Sequence, residues 1–438
     1  MKLDEKIMHA GVVGAGGAGF PTHVKAKSEV EYLIANGAEC EPLMHKDFEL
    51  MLNFAPRVAE GMQLLLEGVK ARKGFFGIKR KNIKAAEKIR ESLADGKIEM
   101  TFLGDYYPAG DEYELVYEAT GKLIPPRGIP LDVGCVVNNV ETMFNIANAY
   151  EGVPVTKKFL SVNGAVKNPS AFWVPVGTSF KEVLKHAGGV TVEDYGIFVG
   201  GVMMGKLTFD DTEVVTKTTG GLIVLPRNHY LIERLNKKPR EMNRIGKSAC
   251  DQCSYCTELC PRYLLGYDVQ PHKVMRSLEF TTSGAALWNQ YADLCSTCGL
   301  CTLYSCPEGL YPREACVQSK AVLHKENIHF EQIRELKVHP MKENRRVPLK
   351  QLMKRIRLLD YDKPTPFNPD MPAPESVKIL TKQHVGAPSV PVVKIGDYVR
   401  EGDLIADIPE NSLGAKIHSS INGKVTQVTA EYIRIRKS

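Results

Sequence analysis

The chain has 438 residues, of which 43% are apolar and 25% charged, with a net charge of +6. That length exceeds one ordinary domain, and the composition is that of a globular protein rather than a disordered or fibrous one. No apolar run approaches the ~20 residues that span a bilayer. The basic stretch Lys70–Lys84 holds only the adjacent pair Phe75 and Phe76, not aromatics interleaved for base stacking, so neither a transmembrane segment nor nucleic-acid binding is expected.

The N-terminal MKLDEKIMHAG carries acids where a signal peptide has basic and then apolar residues, which predicts a cytoplasmic protein. Residues 1–155 alternate apolar runs, glycine-rich turns and amphipathic stretches. Helices are predicted at Phe54–Glu67 and Lys81–Leu93, and strands at Ile98–Leu103 and Gly134–Val137, an α/β pattern. Residues 156–228 turn to short strands, Phe159–Val162, Gly196–Val199 and Gly221–Leu225. One helix, Ser179–Ala187, stops at Gly188–Gly189; this is a small α+β module. Residues 229–335 are helix-forming and cysteine-rich. Residues 336–376 read as a linker, with five prolines in Asp360–Glu375. Residues 377–438 alternate apolar and polar residues around Gly396–Asp397, Gly402–Asp403 and Asn422–Gly423, a compact all-β module.

Eight of the eleven cysteines lie between Cys250 and Cys306. A reducing cytosol excludes a disulfide framework, so this crowding calls for metal. The first run is Cys250-x2-Cys253-x2-Cys256-x3-Cys260-Pro261. The second is Cys295-x2-Cys298-x2-Cys301-x4-Cys306-Pro307, one residue longer before its last cysteine. Three thiolates at this spacing wrap one cubane, and the fourth, followed by proline, ligates the other cluster. Two [4Fe-4S] clusters are therefore expected, one on Cys250, Cys253, Cys256 and Cys306, the other on Cys295, Cys298, Cys301 and Cys260. Paired zinc sites fit this spacing poorly. Cys40, Cys135 and Cys316 read as core or site-lining residues.

The second signal is the run from Gly11 to Thr22, in which Gly14, Gly16, Gly17 and Gly19 let backbone N–H groups approach a phosphate and Pro21 suits the first turn of a helix. Gly14, Gly16 and Gly19 satisfy GxGxxG, but a dinucleotide fold needs a strand before the loop and one acid closing the next strand. Ala10–Val13 is too short, and Tyr32–Ala35 runs into Asn36-Gly-Ala-Glu39-Cys-Glu41-Pro42. A phosphate-bearing cofactor is expected without its identity.

Four motifs together carry a resemblance. The loop from Gly14 to Lys25 closely resembles that of the NADH-oxidising flavoprotein subunit of respiratory complex I. Asn36–Pro42, Tyr107-Pro-Ala-Gly110-Asp111-Glu112 and Asn138-Asn139-Val-Glu-Thr142 resemble that family's further motifs. The superfamily includes the RnfC component of Rnf complexes and cobalamin reductases of propanediol-utilisation microcompartments. The order of flavin domain, small β-grasp-like (SLBB) domain and two clusters is similar to both. The run from Cys250 to Arg262, the x4 spacing before Cys306 and the C-terminal β-module favour the cobalamin-reductase branch.

The resemblance implies FMN with NADH stacked against it. By motif position, Gly14, Gly16, Gly17, Asn36, Glu39, Asn138, Asn139 and Thr142 would contact FMN, with Gly19 in the same loop. Phe20, Lys25, Glu41 and Glu112 would line the NADH side, and Tyr107 and Gly110 the edge between. Ala38 and Cys40 stand where complex I has Asp and Ser, Asp111 replaces Glu, and the aromatics after Lys25 are missing. Gly200–Gly205 resembles a loop near the nucleotide but equally suits a plain turn, and Glu141 reads as a helix-start acid. The implied route is NADH to FMN to the clusters to an acceptor, such as cobalamin bound to its adenosyltransferase or a partner redox protein. No acid–base catalytic residue is required. Alternatives are a peripheral subunit of an Rnf-like membrane complex, or a relay to a reductase such as proline reductase. The segments Val392–Asp403 and Ile417–Val425 resemble a lipoyl-type barrel-sandwich hybrid. The hairpin region Glu410-Asn411-Ser412 lacks the carrier lysine, so an unmodified docking module is expected.

Overall fold

The computed structural model describes residues 1–93, 96–278 and 289–437. Its first layer follows from period-two alternation. Strands β1 (Tyr32–Gly37), β2 (Lys73–Lys79) and β3 (Ile98–Leu103) are followed by the short β4 (Tyr106–Tyr107) and then β5 (Cys135–Asn139). Four of them form a sheet in the order β3-β2-β1-β5, every pair parallel. Leu33, Ala35, Phe76 and Val136 face one side. Ile34, Phe75, Cys135 and Val137 face the other. The first face is covered by α1 (Leu3–His9), α3 (Lys46–Gly68), α4 (Ile83–Ser92) and α6 (Val140–Tyr150), and the second by α5 (Glu112–Thr120). Both faces are buried, which is how parallel sheets are stabilised.

Helix α3 begins at Lys46, eight residues before the predicted Phe54. Pro56 has no N–H for the carbonyl four residues back. The backbone kinks at Phe54 (φ −130°) and the helix continues, so the proline marks a bend rather than a start. The glycine-rich stretch precedes the first strand. It is closed only by a single bridge between Val13 and Pro21, after which α2 (Thr22–Ala26) begins. This is not the strand–loop–helix of a dinucleotide fold.

The second module has β6 (Lys157–Gly164), β7 (Ser170–Pro175), α7 (Phe180–His186), β8 (Tyr195–Val199), β9 (Lys206–Thr208) and β10 (Gly221–Pro226). Its sheet order is β7-β6-β10-β8-β9, with β6 and β10 parallel and the other pairs antiparallel. Ser179 caps α7 through a reciprocal bond with Glu182. The left-handed Gly188 and Gly189 (φ +85° and +88°) end it as the sequence predicts.

The cysteine-rich region is built from short helices, and among the described residues four of them, Pro239–Ala249, Pro261–Leu264, Pro271–Ser277 and Pro312–Lys325, start on proline. Residues 336–376 do connect this region to the last module, but they are packed rather than slack. Val347–Pro348 pairs with β4. The helix Leu349–Arg355 buries Leu352 and Met353, and Phe367 packs edge-on against Phe54. Five prolines suppress regular structure and most of residues 360–375 stay exposed, while Thr365 and Met371 are buried. The C-terminal module has two small antiparallel sheets around Ile379, Ile405, Ile417 and Ile435, the expected all-β architecture. Among the described residues, no helix is long and apolar enough to cross a membrane.

Candidate functional site

In the order β3-β2-β1-β5 the chain leaves β1 for β2 on one side and returns as β5 on the other. Ligands of parallel sheets bind at the carboxyl ends of strands that flank such a switch point. There Ala35 pairs with Asn138 and Asn36 with Asn139, which brings the second and fourth motifs together. The glycine loop lies over them. Gly14 N–H donates to the Phe20 carbonyl at 2.9 Å, and Ala15 N–H to Thr142 Oγ1 at 3.0 Å. A Cβ on Gly16 would sit 3.3 Å from that of Asn139, whereas one on Gly17 (φ +117°) would meet open space. The loop thus rests on one side against the asparagines and is free on the other. Asn36 Nδ2 donates to the Gly110 carbonyl at 2.9 Å, which adds the third motif.

These residues fit a flavin in one specific respect. The Asn138 amide nitrogen is buried and has no hydrogen-bond partner among the described residues. A buried donor left unpaired costs about 1–3 kcal/mol, so a ligand acceptor at this point is the physical complement. Lys25 Nζ donates to the Val137 carbonyl at 2.8 Å and stands 3.8 Å from the half-exposed Glu112, with the Phe20 ring centroid 5.9 Å away. These three share the open side of the loop.

Beneath the site lies a charge network that no sequence motif foretells. Glu141, fully buried, accepts from Lys46 (3.1 Å), from Lys158 (2.5 Å) and from Phe159 N–H (3.2 Å). Lys158, on β6, also donates to the Ala15 carbonyl at 3.1 Å. Asp47 accepts from Lys46 and from Asn139 (2.8 Å), and its N–H donates to Glu39 at 3.2 Å. Burial, reinforced by Asp47, pushes the Glu39 carboxyl up to about 8. Burial pulls Lys158 down to about 8 even with Glu141 beside it. Lys46 is held up by Asp47, Glu141 and Glu39, which outweigh its burial.

Glu41 is placed differently from its neighbours. Its carboxylate accepts from the N–H groups of Met203 and Met204, both at 2.9 Å, and burial pushes it up to about 7. It therefore caps the Gly200–Gly205 turn of the second module. A Cβ on Gly201 would sit 2.5 Å from that carboxyl group. This contact fixes the turn, which by sequence alone equally suits a plain loop, to the second motif.

The cysteines gather in two groups. Cys250, Cys253, Cys256 and Cys306 line one pocket with Asp251, Gln252, His272 and Glu308. Burial and then the neighbouring Cys298 and Cys295 push the Cys260 thiol up, which places Cys260 with the second run. The last cysteine of each run thus sits with the other run's first three. The two runs are wound alike. Gln252 and Ser254 flank Cys253, Thr297 and Gly299 flank Cys298, and all four have left-handed backbone (φ +60°, +63°, +58° and +86°). Backbone N–H groups of Thr297 and Leu310 point at the sulfurs of Cys295 and Cys306, each at 3.3 Å. The extra residue before Cys306 is absorbed as a π-turn over Cys301–Ser305, closed by Cys306 N–H on the Cys301 carbonyl at 3.2 Å. Among the described residues no three His, Cys, Asp or Glu side chains converge as they do around a single metal ion.

Two bonds join the cysteines to the flavin-type site. Tyr107, 2% exposed, donates its hydroxyl to the Cys298 carbonyl at 2.7 Å. Arg262, two residues after Cys260, pairs with Asp111 at 3.0 Å and lies 3.3 Å over the Tyr113 ring. Both reach the third motif from the group containing Cys260 and Cys298. The other group lies toward solvent, with Cys253 exposed.

Comparison with known proteins agrees with this arrangement. Residues 7–148 match the Nuo51 FMN-binding domain and 159–207 the SLBB domain. Residues 249–311 match a 4Fe-4S dicluster domain, and 366–437 the RnfC barrel sandwich hybrid domain. Together they define a flavin- and iron–sulfur-binding oxidoreductase of the superfamily that contains RnfC and the complex I flavoprotein subunit. The chain is 40% identical to the cobalamin reductase PduS of Salmonella typhimurium over 438 residues, 99% of this chain and 96% of that protein. It is 39% identical to PduS of Citrobacter freundii over similar coverage. It belongs to the PduS cobalamin reductase family. A component of the proton-translocating ferredoxin:NAD(+) oxidoreductase complex of Clostridium ljungdahlii is 34% identical over 59% of this chain and 55% of its own. A chain of an NAD+-reducing [NiFe]-hydrogenase aligns over 83% of this chain and 67% of its own, at 20% identity and a TM-score of 0.49.

Proposed function

We propose that the protein oxidises NADH and passes the electrons through FMN and two [4Fe-4S] clusters to a cobalamin-type acceptor. FMN, when bound, exchanges two electrons with NADH and single electrons with clusters. The chain's own residues do the placing. Asn36, Asn138, Asn139 and Thr142 set the floor of the flavin site, and Gly14–Gly19 its phosphate side. Phe20, Lys25 and Glu112 form the edge open to the nucleotide. Glu39 keeps a proton near neutral pH and offers a neutral wall rather than a charge. Glu41, committed to Met203 and Met204, braces the site and does not face the nucleotide freely.

Cys260, Cys295, Cys298 and Cys301 would hold the inner cluster, and Cys250, Cys253, Cys256 and Cys306 the outer one. The hydrogen bond from Tyr107 to the Cys298 carbonyl supports this most, because it joins the third motif directly to a ligand loop. The reading includes the five segments set out from the sequence, a cytoplasmic or microcompartment location, and an adenosyltransferase as the protein that presents cobalamin. In protein purified and reconstituted without oxygen, NADH is expected to bleach the flavin band and then the cluster absorbance. Flavin that stays oxidised under excess NADH defeats the donor assignment.

A further inference from the structure

Both ends of the glycine-rich loop are gripped by residues outside the flavin and cysteine motifs. At its start, the Gly11 carbonyl accepts from Lys217 Nζ at 2.7 Å, and the same nitrogen donates to the Lys416 carbonyl at 2.7 Å. Gly11 is left-handed (φ +66°), and a Cβ there would lie 2.2 Å from the Lys416 oxygen. Only glycine lets these three segments meet. At the other end, the Gly19 carbonyl accepts from Val385 N–H at 3.0 Å. A Cβ on Gly19 would sit 2.8 Å from the Thr218 methyl and 3.2 Å from the His384 Cα. Lys217 N–H in turn donates to Gln383 Oε1 at 2.9 Å. Lys217 comes from the segment just before β10, while Gln383, Val385 and Lys416 belong to the C-terminal module.

Lys217 is 2% exposed, and among the described residues no carboxylate pairs with it. A lysine buried with only carbonyl partners is expensive compared with an apolar residue of the same length. Simple space-filling does not require that expense, whereas tying two carbonyls of different modules together does.

We propose that Lys217 is a positioning residue that straps the start of the cofactor loop to the C-terminal module, with Val385 of that module holding the loop's other end. The module then serves as one wall of the redox site, and the absence of a carrier lysine in it follows naturally. This rests on the reading of the loop as the FMN and NADH site.

The test uses full-length reconstituted protein carrying Lys217→Met or Val385→Pro. Three quantities are read: FMN affinity by titration, steady-state NADH oxidation with ferricyanide at saturating FMN, and dithionite reduction of the clusters. For Lys217→Met, two buried carbonyls lose their donor. The FMN Kd is expected to rise about tenfold, with a raised NADH KM, unchanged kcat and unchanged cluster spectra. Val385 is 43% exposed, and its replacement removes only one N–H, so that variant keeps the assay available if Lys217→Met does not fold. It is expected to shift FMN affinity the same way by about threefold. FMN Kd and NADH KM within twofold of the parent in every folded variant overturn the strap. A drop in kcat with KM unchanged also overturns it. A parent that takes up no FMN refutes the functional reading instead.

Discussion

Glu141→Gln tests the buried network under the flavin-type site. The change keeps the shape and an oxygen to accept from Phe159 N–H, but removes the counter-charge of Lys158. Breaking a buried pair from one side costs about 3–5 kcal/mol when the partner stays charged. Lys158 has an escape, because it can shed its proton. Its folded value of about 8 already lies below the ordinary lysine value of 10.5. A depressed lysine destabilises most where it is still charged, at low pH, and this destabilisation fades as pH rises through its folded and toward its unfolded value. Without Glu141 the amine is neutral in the folded state through the working range. The variant then forfeits only the protonation free energy that the parent gains below pH 8, about 1.4 kcal/mol per pH unit. That is about 1 kcal/mol at pH 7.5 and about 3 kcal/mol at pH 6. Hydrogen exchange of β6 amides, corrected for intrinsic rate at each pH, reads the local stability without assuming that a multidomain chain unfolds in one step. The double variant Glu141→Gln/Lys158→Met is expected to recover most of the loss at pH 6. A penalty that does not change between pH 6 and 7.5, or a double variant as unstable as the single, would refute the reasoning.

Glu39 gives the opposite slope. Its folded value is raised from 4.5 to about 8, so the folded state binds more protons between those limits and stability falls as pH rises through them. In flavin-free protein, Glu39→Gln should melt higher than the parent at pH 8 and converge with it near pH 5; parallel melting curves across that range contradict the assignment. Tyr107→Phe leaves the buried Cys298 carbonyl without its donor, a local loss of about 1–3 kcal/mol. Stopped-flow mixing with NADH should show slower cluster reduction with flavin reduction unchanged, and equal slowing of both phases counts against the joint. Cys306→Ala should lower iron by about four atoms per chain and leave the inner cluster reducible by NADH. Loss of the inner signal with the outer one retained reverses the proposed crossover.

What could be read in the sequence was local. Ile98–Leu103 alternates visibly and is a strand with those limits. Ser179 with Glu182 and Gly188–Gly189 mark both ends of a helix. The cysteine runs declare themselves because cluster ligands lie on short, regularly spaced turns. What could not be read depends on packing between modules. Lys158 and Lys217 sit in unremarkable strand and loop text, and only the meeting of separate domains buries them. Glu141 is the helix-start acid its motif suggests, in the first turn of α6, but nothing nearby in sequence predicts the two lysines that pair with it. Glu41 matched its motif and still turned toward Met203 and Met204, because the turn that claims it lies over 150 residues away. The prolines of 360–375 predict an irregular chain, most of which is exposed, but not its anchors: Thr365 and Met371 are buried and Phe367 packs against Phe54 and Phe159.

The unequal spacing of the two cysteine runs has a geometric reason. The second run is pinned from the flavin side by Tyr107 at Cys298, and from behind by Arg234, which donates to the carbonyls of Thr302 (2.7 Å), Gly309 (2.6 Å) and Leu310 (2.6 Å). Its first three cysteines therefore cannot shift to help the fourth reach the outer group. One additional residue, wound into a π-turn between Cys301 and Ser305, carries Cys306 across while leaving Cys298 and Cys301 in place. Among the described residues no hydrogen bond ties the first run's own CxxC segments to the flavin module. That run meets the flavin module through the Arg262–Asp111 pair, beyond its last cysteine, and through Leu259 and Pro261, which line a pocket with Tyr106, Tyr107 and Pro108, and the shorter spacing suffices. The longer spacing thus accompanies the anchoring of the second run to the flavin-type site, and in the proposed route that run would hold the inner cluster.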